Sequence, residues 1–113
     1  MKWDLFALIV TTVKAIASFN QAVSLNPDHP WIYNNRGLAY NNLEQYDLAI
    51  ADFTKAITIK PNYAQAYLNR GDAYARSGNI TQSKQDLEQA ANLFEQQNQP
   101  QKSQEIRELL QKF

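Results

Sequence analysis

Cysteine is absent from the 113-residue chain, and histidine occurs only once. The lack of cysteine excludes disulfides, thiol catalysis and cysteine-ligated metal, and it fits a reducing compartment such as the cytoplasm. His29 has no serine, cysteine or second histidine at a catalytic spacing. The sequence also has no glycine-rich phosphate loop, catalytic carboxylate pair or cluster of metal ligands. We therefore expect no enzyme activity, no cofactor and no bound metal.

Net charge is missing as well, because 11 basic residues balance 11 acidic ones. A neutral chain gives no electrostatic reason to bind nucleic acid or an anionic membrane surface. The longest uninterrupted apolar run covers only residues 5–10, whereas a membrane span needs about 20 apolar residues. Asp4 before this run and Lys14 after it argue against a signal peptide. We expect a cytoplasmic protein that binds neither nucleic acid nor membrane.

A repeat with a period of about 34 residues organises the chain. Residues 33–40 and 67–74 share tyrosine, asparagine, arginine, glycine and alanine in the same order. Two of the three glycines, Gly37 and Gly71, fall in register, and residues 15–27 match a stretch one period later. Such a period, with two helical patterns in each unit, indicates a helix-turn-helix solenoid.

The alternation of large and small residues resembles the tetratricopeptide repeat family. The resemblance is carried by Tyr33, Gly37, Tyr40, Tyr46, Ala49, Phe53, Ala56 and Pro61, then by Tyr67, Gly71, Tyr74, Gly78 and Ala90. It weakens late, where Ser83, Leu87 and Glu95 replace the family's alanine, aromatic residue and proline. The Asn-Arg-Gly run and the glutamine-rich ending are also similar to repeat proteins common in cyanobacteria. The resemblance implies an all-α, right-handed α-solenoid of about two and a half repeats with a C-terminal capping helix.

The chain is short enough to form a single domain, 1–113. Its expected parts are a degenerate or partial first repeat, two full repeats and a cap, at residues 1–29, 30–63, 64–97 and 98–113. Apolar periodicity and turn residues predict six helices. Their expected bounds are residues 3–25, 31–43, 46–59, 64–77, 80–96 and 100–112.

Several side chains have predicted roles in packing. A glycine inside a helix is costly, so Gly37 predicts that a bulky residue of the next helix presses against it. Arg36 and Arg70 are expected beside the core, with their stems packed across helices. Asp52 and Asp86 are expected on the helix surface, solvated or in local salt bridges.

The predicted binding surface is the side of each unit's first helix that faces away from the core. By resemblance to the family, these helices line a concave groove that binds a peptide segment of a partner, and Asn35 and Asn69 contact its backbone. An asparagine amide suits this role because it both donates and accepts. Only Arg76 is a clearly placed groove cation, so a clamp for acidic chaperone tails is not expected. The predicted groove residues are Trp31, Asn34, Asn35, Leu38, Asn42, Leu68, Asn69, Asp72 and Arg76.

Two other hypotheses remain open. The N-terminal helix is more apolar than the end of a solenoid should be, which favours a homodimer or another self-association through this helix. A non-catalytic subunit or fragment of a larger enzyme or repeat array also fits the sequence. The residues predicted for self-association are Trp3, Phe6, Ile9, Val10 and Val13.

Overall fold

A computed structural model describes the backbone of residues 2–113 and the side chains from residue 4 onward. This part of the chain contains no strand, and the predicted all-α solenoid is confirmed. Helix ends lie within two residues of those expected from the sequence. The helices are α1 (Lys2–Leu25), α2 (Pro30–Asn42), α3 (Tyr46–Ile59), α4 (Ala64–Arg76), α5 (Ile80–Gln96) and α6 (Pro100–Leu110).

The helices pack in chain order, each against the next. Helices α2 and α3 form one hairpin, and α4 and α5 form the second. Contact between α2 and α4 places the first helices of the two hairpins side by side. Helix α1 packs on α2 as the second helix of a preceding hairpin would, and α6 packs on α5 as a cap. The positions of α2, α4 and α6 decide where a binding surface can form.

Close contact within each hairpin explains the two repeated glycines. A Cβ atom on Gly37 would lie 2.6 Å from Phe53 Cε1, and one on Gly71 would lie 3.1 Å from Leu87 Cδ2. The Phe53 ring is completely buried there. The predicted approach of a bulky side chain to Gly37 is therefore confirmed.

An arginine links three helices in the first full repeat. Arg36 of α2 donates from Nε and Nη2 to the two carboxylate oxygens of Asp52 on α3, at 2.8 and 2.7 Å. Its Nη1 donates to Asn20 Oδ1 on α1 at 3.1 Å. The guanidinium lies 5.7 and 5.9 Å from the ring centres of Tyr33 and Tyr40. Arg36 therefore ties its own hairpin to the helix before it.

The next repeat builds the same link with Arg70 and Asp86, at 2.7 and 2.8 Å, and with Thr54 at 3.2 Å. Hydrogen bonding to the aspartate raises the pKa of each guanidinium, although burial opposes the rise. Asp52 and Asp86 were expected at the surface, but they are only 5% and 6% exposed. The bidentate guanidinium replaces the water that would otherwise solvate each carboxylate.

The first turns of helix α1 are exposed. Leu5, Phe6 and Leu8 are 60%, 62% and 58% exposed, whereas Thr12 is buried. We call residues 4–13 the N-terminal arm. The arm presents apolar side chains that no other described part of the chain covers.

The apolar character of α1 changes the conclusion that no segment of the chain is apolar enough to span a membrane. Within the described residues, Asp4–Leu25 is long and apolar enough to cross a membrane, with a mean hydropathy of 1.4 over its best 18 residues. The unbroken apolar run covers only residues 5–10, but further apolar residues follow it as far as Leu25. Length and composition therefore permit a span, a criterion that signal sequences and buried core helices also meet.

Candidate functional site

Hydrogen bonds between polar side chains close the line where α2 meets α4. Asn69 Nδ2 donates to Asn34 Oδ1 at 2.9 Å, and Asn41 Nδ2 donates to Asp72 Oδ2 at 2.9 Å. Gln65 Nε2 donates to Asn69 Oδ1 at 3.0 Å. We call this row the α2–α4 seam. It holds the first helices of the two hairpins together.

The α2–α4 seam buries two of the predicted groove residues. Asn34 and Asn69 are 4% and 7% exposed, and their amides bond to each other. Burial raises the pKa of Tyr63, and the neighbouring Asn34 side chain opposes this rise. Both asparagine amides are thus used mainly within the chain, and their contact with a peptide stays a prediction.

The predicted residues of α2 other than Asn34 lie on an accessible surface. Trp31 is 53% exposed, Leu38 is 36% exposed and Asn42 is exposed. Asn35 is half-buried. Two apolar side chains and two amides therefore share the side of α2 that faces away from α3.

Helix α4 continues this surface with Leu68 and Asp72, which are half-buried, and Arg76, which is exposed. Arg76 Nε donates to Asp72 Oδ2 at 3.0 Å, and this hydrogen bond raises the pKa of Arg76. The pairing largely cancels the one cationic charge predicted for the groove. We call the combined surface the inner groove, made of Trp31, Asn35, Leu38, Asn42, Leu68, Asp72 and Arg76.

The line between α4 and α6 is open, unlike the α2–α4 seam. One repeat later in the sequence, Leu68 stands at the place of Asn34 and Ala75 at the place of Asn41. These side chains cannot make the hydrogen bonds that close the first seam. A pocket of about 390 Å³ lies here, and we call it the α4–α6 pocket. It is lined by Leu68, Asn69, Asp72, Ala75, Ser83, Leu87, Leu109 and Phe113.

The cap supplies two apolar side chains to the α4–α6 pocket. Leu109 and Phe113 are 42% and 44% exposed. Ile106 and Leu110 instead pack against the core of the second hairpin. Sequence reasoning missed the pocket, although the loss of both seam asparagines one repeat later was a readable signal. Helix α6 is short and, among the described helices, packs only on α5, so only part of its apolar side is covered.

Other predicted site residues lie elsewhere. In the arm, Phe6, Ile9 and Val13 are 62%, 43% and 53% exposed, and Val10 is half-buried. The side chain of Trp3 lies outside the described residues. No group of three histidine, cysteine, aspartate or glutamate side chains able to hold a metal occurs in the part of the chain described.

Comparison with protein families gives three matches, each described as a tetratricopeptide repeat or TPR repeat. They cover residues 13–44, 30–63 and 53–85, and together they run from residue 13 to residue 85. No curated protein matches the sequence. The resemblance to cyanobacterial repeat proteins stays a prediction.

Solved structures share the fold. The TPR2B domain of yeast Sti1, in a pHsp70 complex, matches 91% of this chain and 82% of that chain with 25% identity and a TM-score of 0.85. The Arabidopsis OM64 TPR domain matches 90% and 82%, with 27% identity and a TM-score of 0.79. The second TPR of Spaghetti (RPAP3), bound to the HSP90 peptide SRMEEVD, matches 73% and 76%, with 28% identity and a TM-score of 0.71. The first and third of these neighbours are solved as complexes.

Proposed function

Because this chain belongs to the tetratricopeptide repeat family, we propose that it is a non-catalytic interaction module that binds a peptide segment of another protein in its inner groove. The observation that carries the proposal is an accessible surface in which apolar side chains alternate with amides. Exposed Trp31 and Leu38 lie beside Asn35 and Asn42 on one side of α2. The peptide-bound structure of the similar Spaghetti (RPAP3) domain supports a peptide as the ligand.

The chemistry of the groove suits an extended segment. Asparagine amides pair with the N–H and C=O groups that an extended backbone leaves free. Trp31 provides a rigid aromatic surface, the kind of side chain that dominates binding energy at interfaces. Recognition therefore depends mainly on backbone hydrogen bonds and apolar contact.

The charges of the groove disfavour an acidic tail. The HSP90 peptide SRMEEVD carries three carboxylate side chains. In the inner groove of this chain, the Arg76 cation is already paired with Asp72 at 3.0 Å. An acidic segment would meet Asp72 without a free cation to offset the repulsion. The partner segment is accordingly neutral or basic.

Selection from a random peptide display library tests the proposal. The intact chain, Asn35→Ala and Asn62→Ala are compared, because Asn62 is an exposed asparagine in the turn before α4. We expect one shared motif from the intact chain and from Asn62→Ala, and binding by Asn35→Ala that is about 5- to 10-fold weaker, the effect of losing one or two hydrogen bonds. Failure of the intact chain to select any motif would refute peptide binding.

Self-association through the N-terminal arm is a second function that a specific observation favours. Leu5, Phe6 and Leu8 are 58% to 62% exposed, which is unusual for neighbouring apolar residues of a monomer. Phe19 is half-buried, whereas Phe53, its equivalent in the next repeat, is 0% exposed. The α1 helices of two copies packed together would cover these side chains.

A second copy of the chain suits the arm better than a membrane does. The C-terminal half of α1 is fixed to the solenoid, because Asn20 accepts a hydrogen bond from Arg36 and Val23 packs against the core cluster that contains Tyr33. A span over the whole of Asp4–Leu25 would break these contacts. The arm alone is about 15 Å long, roughly half the thickness of the hydrocarbon core.

Light scattering over a range of concentrations tests the dimer, with Leu8→Gln and the matched variant Leu48→Gln on α3, where Leu48 is 50% exposed. We expect the intact chain and Leu48→Gln to form dimers and Leu8→Gln to remain monomeric. A monomer for all three proteins at every concentration would exclude self-association. Flotation of the intact chain with neutral lipid vesicles would assign the arm to a membrane instead.

A further inference from the structure

The α4–α6 pocket gives the inner groove a place for one specific side chain. We propose that this pocket binds a single large apolar residue of the partner segment, such as leucine, methionine or phenylalanine. The inference rests on the proposed binding of a peptide in the inner groove. The pocket would require an apolar residue at one position of the bound peptide, whereas the asparagines of the inner groove contact only the peptide backbone.

Two repeat positions that carry asparagine in α2 carry apolar residues in α4. Asn34 and Asn41 close the α2–α4 seam through hydrogen bonds to Asn69 and Asp72. Their counterparts Leu68 and Ala75 line the pocket. Leu87, Leu109 and Phe113 add further apolar surface from α5 and the cap. Displacing water from such a lining by an apolar side chain is favourable.

The size of the pocket fits an anchoring side chain. A water molecule occupies about 30 Å³ in the liquid, so a pocket of about 390 Å³ admits an aromatic or long aliphatic side chain with room to spare. Leu109 and Phe113 at its edge are 42% and 44% exposed. The anchor can therefore enter from the solvent side without any movement of the helices.

Asp72 supplies a hydrogen-bond acceptor at the rim of the pocket. Both side-chain hydrogen bonds that it accepts within the described chain, from Asn41 and Arg76, end on Oδ2. Its other carboxylate oxygen, Oδ1, can accept an N–H from the backbone beside the anchoring residue. The Asp72 side chain is 46% exposed, so a ligand can reach it.

This acceptor favours an extended segment over a helix as the occupant. The N–H groups inside a helix already donate to the helix itself, whereas those of an extended segment are free. Leu68 and Asp72 belong to both the inner groove and the pocket. An extended peptide can therefore follow the groove with its backbone and place one side chain in the pocket. The helical arm of a second copy fits the pocket less well for the same reason.

Filling the pocket tests the inference. Ala75→Phe places a ring in it, and Ala51→Phe, at an exposed position of α3, is the matched control. Display selections on the intact chain and on Ala51→Phe should share a motif with a large apolar residue at one fixed position. Selection on Ala75→Phe should lose that preference. A selected peptide should bind Ala75→Phe about 10- to 100-fold more weakly, the effect of leaving one large apolar side chain exposed.

The possible failures are distinguishable. If the intact chain selects no motif, the proposed function itself is wrong. A motif without the apolar position, or one that Ala75→Phe still selects, would overturn the anchor alone. Tighter peptide binding by Leu8→Gln would assign the pocket to the arm of a second copy and also overturn it. Should Ala75→Phe lose its helical circular dichroism, Leu109→Asp with the control Leu48→Asp gives the same comparison at exposed positions.

Discussion

At the scale of single residues, the two arginines of α4 have different roles. The side chain of Arg70 is 18% exposed and forms a bidentate pair with the Asp86 side chain, which is 8% exposed. Arg76 is 55% exposed and makes one hydrogen bond to Asp72 one turn away. A buried carboxylate depends on its partner for solvation, whereas an exposed one has water as an alternative. Arg70 is therefore structural, whereas Arg76 and Asp72 form an exposed pair in the inner groove whose charges largely cancel.

Replacing each arginine by leucine tests this difference. We expect Arg70→Leu to lower the free energy of unfolding by about 2–4 kcal/mol. Asp86 would stay buried without its partner, and its slight exposure lets water replace only part of the lost hydrogen bonding. Arg76→Leu should change it by about 0.5 kcal/mol or less. Urea denaturation measures both values. Equally small effects would show that the Asp86 carboxylate finds other solvation when Arg70 is absent.

The arginine pairs show where sequence reasoning stopped. The helical wheel placed Arg36 and Arg70 beside the core, and their side chains are only 19% and 18% exposed. It did not reveal that Asp52 and Asp86 are their partners. The two members of a pair are on different helices of one hairpin, so their distance depends on how closely those helices pack. A helical wheel describes one helix and gives no distance between side chains on two helices.

At the scale of helices, a glycine sets the distance within each hairpin, but the two glycines tolerate change differently. A Cβ atom on Gly37 would lie 2.6 Å from the ring of Phe53, which is 0% exposed. Gly71 contacts Leu87, whose flexible side chain can adjust by a few tenths of an ångström. The first hairpin is therefore more sensitive to an added methyl group.

Alanine substitutions measure this sensitivity. Gly37→Ala should lower the free energy of unfolding by about 1–3 kcal/mol, because the clash with Phe53 exceeds the gain in helix propensity. For Gly71→Ala, the free energy of unfolding should stay within about 1 kcal/mol of that of the intact chain. The gain in helix propensity offsets the milder contact with Leu87. Thermal and urea unfolding report both changes. A larger loss for Gly71→Ala than for Gly37→Ala would contradict the difference in packing.

The helices themselves were predictable from the sequence, but the side-chain contacts between neighbouring helices were not. Apolar periodicity, prolines and the Gly78 turn predicted every helix to within two residues. Asn34 and Asn69 were expected in the groove because both lie away from the core on their own helices. The structure shows that neighbouring helices share this side, so these asparagines meet and are buried. Contact between α2 and α4 follows from the packing of whole hairpins, which no single helix encodes.

At the scale of the whole molecule, the solenoid offers three different surfaces. The α2–α4 seam is polar and closed, the α4–α6 pocket is apolar and open, and the N-terminal arm is apolar and uncovered. A segment that crosses the inner groove reaches the amides of α2 first and the pocket last. Because the groove is only two helices wide before the cap, we expect an affinity of about micromolar.

Mapping of a selected peptide by NMR tests peptide capture by the groove most directly. Backbone amide shifts of the labelled chain are followed during titration with the peptide. The largest changes are expected at Asn35 and Leu38 on α2, at Asp72 on α4 and at Leu109 on the cap. Shifts concentrated on the outer sides of α3 and α5, or on the arm, with the groove unchanged, would contradict the proposed site.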